Sequence, residues 1–157
     1  MDFLKGDPKL ARVELHSSVS GTEREDLTDE ECVSNALQIA MSVRQAIINL
    51  DRTKGRLALE YSSRELLPEH FREEGQTTND RLALEKDQLQ LLLEQLDAVW
   101  ERFPGKLKTF YKDDMLSLRT LLENGIRSGN LKNTSHRIEE EDKQFLQKFI
   151  TRLEQRK

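Results

Sequence analysis

The chain has 157 residues, enough for one domain. Hydrophobic residues make up 36% of it and charged residues 34%, with a mean hydropathy of −0.73, which argues against a thick-cored globule and suits long helices that each bury one stripe. A net charge of −4 weighs against nucleic-acid binding, which usually wants a basic face.

Cys32 is the single cysteine, so neither an internal disulfide nor a multi-cysteine zinc site is available. One lone thiol suits a reducing compartment, and no stretch approaches the roughly 20 apolar residues of a membrane span. Residues 1–8 show neither a signal-peptide core nor a glycine at position 2. The expectation is an intracellular protein, cytoplasmic or nuclear, without a membrane span.

Residues 1–27 carry Pro8 and a turn-rich run of Ser17, Ser18, Ser20, Gly21 and Thr22. Their apolar residues, Phe3, Leu4, Leu10, Val13 and Leu15, fit no single period. The reading is a flexible N-terminal segment, part of which lies along the helical bundle.

A helix is expected from about 28 to 67. Thr28 and Glu31 form a capping box: the hydroxyl accepts from the Glu31 amide and the carboxylate reaches back. Three acids in the first turn suit the positive end of the helix dipole. Val33, Ala36, Ala40, Val43, Ile47, Leu50, Leu57 and Tyr61 then follow 3-4 spacing, a heptad-like stripe widened by Leu37, Ile48 and Leu59. Gly55 interrupts it and marks a candidate bend. Pro68 disfavours helix at the residue before it, and the polar run 68–80 reads as a connector.

The second helix, about 79–103, is the most apolar part of the chain. Leu82, Leu89, Leu92, Leu96, Val99 and Phe103 share one face, with Leu93 and Trp100 broadening it. Pro104-Gly105 ends it with a break or sharp kink. A third helix, about 105–124, carries Leu107, Phe110, Tyr111, Met115, Leu118, Leu121 and Leu122. Asn124-Gly125-Ile126 reads as its Schellman end. A fourth, about 135–156, presents Ile138, Phe145, Leu146, Phe149, Ile150 and Leu153, with acids early and bases late along the dipole. The fold class is all-α: an elongated antiparallel helical hairpin or coiled-coil-like bundle of about four helices spanning 28–157.

Chemistry-bearing motifs are missing. The residues three before His16, His70 and His136 are Val13, Leu67 and Asn133, so no Glu-x-x-His pair exists for a dimetal bundle. His136 with Glu140 has i, i+4 spacing but no further ligands. Cys32 follows Glu30 and Glu31, which raise a thiol pKa, so it reads as a buried thiol and not as a nucleophile. No phosphate-binding glycine loop is present. The cluster Arg102, Lys106, Lys108 and Lys112 is diluted by Asp113 and Asp114. No catalytic, cofactor-binding or metal residue is assigned, and no cofactor is implied.

The functional expectation is a non-enzymatic protein–protein interaction subunit of a larger assembly, a helical scaffold. Its partners, hetero- or homo-oligomeric, would dock on apolar helix faces made of Val43, Ile47, Leu50, Leu57, Leu89, Leu92, Leu96, Val99, Trp100 and Phe103. The alternative is a nucleic-acid-associated adaptor using the basic cluster 102–112.

Overall fold

The computed structural model describes residues 10–16, 27–63, 68–127 and 140–156, with side chains described for 10–16, 27–56, 80–127 and 140–156. Among the described residues four helices follow one another: α1 (Asp29–Ser63), α2 (Pro68–Glu101), α3 (Gly105–Arg127) and α4 (Glu140–Arg156). No strand occurs among the described residues.

Cross-helix bonds fix the directions. The Thr53 hydroxyl donates to Glu85, and the Cys32 thiol donates to the Arg102 carbonyl, so α1 and α2 run antiparallel. Arg119 bonds Asp97 while Lys108 lies against Trp100, so α3 turns back along α2. Arg44 bonds Gln147 while Lys143 bridges Asp51, so α4 is antiparallel to α1. The result is an up-down bundle in which the α1–α2 hairpin is flanked by α3 on the α2 side and α4 on the α1 side.

Local sequence explains the ends of these elements. The capping box forms: the Glu31 amide donates to Thr28 Oγ1 at 3.1 Å, and the Thr28 amide donates to Glu31 Oε1 at 3.0 Å. At the α2–α3 junction, Arg102 and Phe103 donate backward to Val99 and Trp100, a tight final turn. The Pro104 carbonyl then accepts from Lys108 and opens α3, so the chain breaks there and does not bend through.

Several boundaries differ from expectation. α2 begins at Pro68, inside the run read as a connector. A proline at a first helical position forfeits no hydrogen bond, and Gly75, Thr77 and Asn79 each weaken a helix without breaking it. α1 continues through Gly55 without interruption. α3 runs past the Schellman signal to Arg127, because Gly125 is buried and packed within the helix. The described part of the last helix opens at Glu140; residues 135–139, with His136 and Ile138, lie outside the described residues.

One core joins all four helices, built from Val33, Ala36, Val43 and Leu50 of α1, Leu89, Leu92 and Leu96 of α2, Leu118 and Leu122 of α3, and Phe149, Ile150 and Leu153 of α4. Burying a leucine or phenylalanine contributes roughly 1.5–3 kcal/mol, so this shared interior is the main source of stability. Two expected stripe members point elsewhere: Ile48 is 43% and Phe110 68% exposed. Ile39 and Ala46 are buried instead, because α1 is covered on two flanks and its apolar face is wider than one heptad seam. Tyr111 sits at the aromatic centre, with Phe103 at 6.1 Å and Phe149 at 6.2 Å.

Candidate interaction surfaces

Of the ten residues expected to form a docking face, eight are the chain's own interior. Val43, Ile47, Leu50, Leu89, Leu92, Leu96, Val99 and Phe103 are all buried, each at most 4% exposed. A partner helix could reach them only by displacing α3, α4 or the opposing half of the hairpin. The side chain of Leu57 lies outside the described residues. Trp100 is part-exposed, packed against the core on one side and open on the other.

Trp100 forms one wall of a groove of about 340 Å³ between α2 and α3. Leu96 and Met115 supply its apolar floor, and Leu116, 54% exposed, its outer lip. Lys108 leans over the Trp100 ring, 5.8 Å from its centroid, and Lys112 lines the same groove. Arg119 closes one end, held by Asp97 Oδ2 at 3.0 Å and by Glu123. Phe110, by contrast, is well out of phase with Lys108, Lys112 and Leu116 on α3, and meets Tyr111 edge-on at 4.8 Å.

The basic cluster does not gather on one surface. Lys106 bridges Asp29 at 3.2 Å, Lys108 rests on Trp100, and Asp114 is taken by Arg152. Only Lys108 and Lys112 of that cluster line the α2–α3 groove.

A second surface is built around the N-terminal segment, held by amides that the sequence reading did not single out. Residues 10–16 lie in the groove between α1 and α2, held by three side-chain amides. Ala11 donates to Gln88 at 2.9 Å and accepts from it at 2.8 Å. Val13 does the same with Gln95, at 3.0 and 2.9 Å, and His16 with Asn35, at 2.7 and 2.8 Å. A primary amide offers one acceptor and two donors, so it can pair with both the N–H and the C=O of one residue. Asn35 and Gln95 are almost fully buried, and these bonds offset their desolvation. Val13 and Leu15 pack against the core. The sequence did contain a signal: Gln88 and Gln95 are one heptad apart beside a leucine stripe, where a solvated face would carry charge.

The remaining chemistry-bearing groups are quiet. Cys32 is buried, and its pKa is raised, first by burial and then by Asp29. Among the described residues no group of three or more His, Cys, Asp or Glu side chains converges to hold a metal ion, and no helix is long and apolar enough to cross a membrane. Compared with family models, curated proteins and solved structures, the chain shows no match in any of the three.

Proposed function

We propose that this chain is a non-enzymatic protein-interaction subunit that docks an amphipathic helix of a partner in the α2–α3 groove. The observation that carries the reading is the pairing of exposed Leu116 with half-open Trp100 over an apolar floor, flanked by Lys108 and Lys112. The valley between two antiparallel helices suits a third helix, whose apolar residues at i, i+3, i+4 and i+7 would fill the floor. The two lysines select acidic residues beside that stripe. A nucleic-acid role is less well supported, because Lys106 and Asp114 are engaged in ion pairs and the bases do not align into one track.

The buried stripe then serves as scaffold, holding α2 and α3 at the spacing that makes the groove. The test is the pair of changes Leu116→Asp and Lys112→Glu, both on exposed positions. The variant is expected to keep wild-type helical circular dichroism and lose capture of its partner from extract. Light scattering on the pure chain separates self-association from hetero-assembly. Capture that is unchanged in the variant contradicts the reading, and so does a salt-dependent gel shift with RNA or DNA that the variant abolishes.

A further inference from the structure

The segment 10–16 occupies its groove in a way that describes a ligand class. In an extended chain the N–H and C=O of one residue point to the same side, and those of the next residue point to the other. Ala11 and Val13, two apart, each present both groups to one glutamine amide. The half-buried side chains, Val13 and Leu15, are also two apart, while Leu10, Ala11, Arg12, Glu14 and His16 are exposed. All six hydrogen bonds from Asn35, Gln88 and Gln95 go to the segment's main chain and none to its side chains.

This face lies away from the rest of the bundle. Asn35 is half a helical turn out of phase with Arg44, which bonds α4, and Gln95 is about 200° around α2 from Asp97, which bonds α3. The three amides are therefore not needed to join the helices to one another.

We propose that the amide-lined α1–α2 groove is a binding site for extended peptides, and that residues 10–16 are its resident occupant in cis. The occupant in trans is a partner's extended segment with two aliphatic residues in an alternate pattern, apolar–x–apolar. The hydrogen bonding is to main chain and so indifferent to sequence; among the described residues the one polar side-chain contact is the exposed approach of His16 Nδ1 to Glu31 Oε2 at 4.0 Å. The selectivity is left to the two positions that Val13 and Leu15 fill. The cis segment precedes α1 in the same chain, with residues 17–26 between them in sequence. Because residues 10–16 belong to the same chain as the groove, they compete with any incoming peptide as an intramolecular ligand. This inference rests on the protein-interaction reading but uses a different surface, so the two can fail separately.

The test uses the full chain carrying Val13→Asp and Leu15→Asp, which weakens the cis occupant without touching a helix. A fluorescent peptide of residues 10–16 is titrated against it and followed by anisotropy. The variant is expected to bind the peptide at least tenfold more tightly than the wild-type chain does. Adding Gln95→Ala should abolish that binding, and so should N-methylation of the peptide at its Val13 nitrogen. A peptide with alanine in place of Arg12 and Glu14 should bind as the parent does. Emission from Trp100, on the other groove, should not move. If the aspartate pair lowers helical circular dichroism, the milder Val13→Ser, Leu15→Ser pair serves as recipient. The proposal is overturned if the recipient shows no saturable binding, or if the N-methylated peptide binds equally well, in which case the segment is a structural strap only.

Discussion

Glu85 holds one of its carboxylate oxygens against the Thr53 hydroxyl at 2.8 Å and leaves the other buried without a partner. Burial is the largest influence on its pKa and raises it, opposed by the Thr53 hydrogen bond and by Arg81 and Arg52. A glutamate whose folded pKa exceeds its unfolded one contributes stability that is complete below the unfolded value and is lost as pH rises through the folded value. Glu85→Gln should therefore flatten the pH dependence of stability across that window, read from urea unfolding at several pH values. Cys32 makes a second prediction at this scale. Its thiol is buried, raised in pKa and donated to the Arg102 carbonyl, so a thiol reagent should label it only at the rate of global unfolding. The acidic neighbours of Cys32 were visible in the sequence. The Thr53–Glu85 pair was not, because its partners are joined only when α1 and α2 face each other.

At the scale of elements, local signals and tertiary packing divided the outcome. The Thr28 capping box and the Pro104 break are local, depend on neighbours within four residues, and could be read directly. The start of α2 and the end of α3 were misread because the signals there are permissive. Proline suits a first turn as well as a loop, and a glycine buried against other helices stays helical. Gly55 is the same case. It lies inside α1, and an added methyl group would meet nothing within 4 Å. Gly55→Ala should stabilise the chain by about 0.5–1 kcal/mol, measured as a rise in the thermal midpoint, through helix propensity and a less flexible unfolded state. The periodicity of α3 found its core members but placed Phe110 among them. With Tyr111, Leu107 and Met115 already spanning the buried arc, Phe110 falls on the flank.

For the whole molecule, the apolar excess visible in the sequence is spent largely inside the chain. Leu92 is fully buried among helices of the same protein. Leu92→Asp should therefore abolish the cooperative thermal transition itself, beyond any effect on assembly, because an unpaired charge in the interior costs several kcal/mol. Two surfaces carry the interaction readings: the α2–α3 groove, edged by exposed Leu116, and the α1–α2 groove that residues 10–16 fill. Neither could be located from the sequence, since each is made by residues from two elements whose pairing the periodicity of one helix does not determine. Trp100 stands at the junction of both descriptions, packed on the core and open to the groove.

Trp100 is also the chain's single tryptophan, which makes it a direct reporter of groove occupancy. The deciding measurement is its emission and acrylamide quenching while the captured partner is titrated in. A helix seated in the α2–α3 groove should shift the emission to shorter wavelength and protect the ring, saturably, with the response lost in the Leu116→Asp, Lys112→Glu chain. A partner that binds with full affinity while Trp100 emission and quenching stay unchanged would contradict the account.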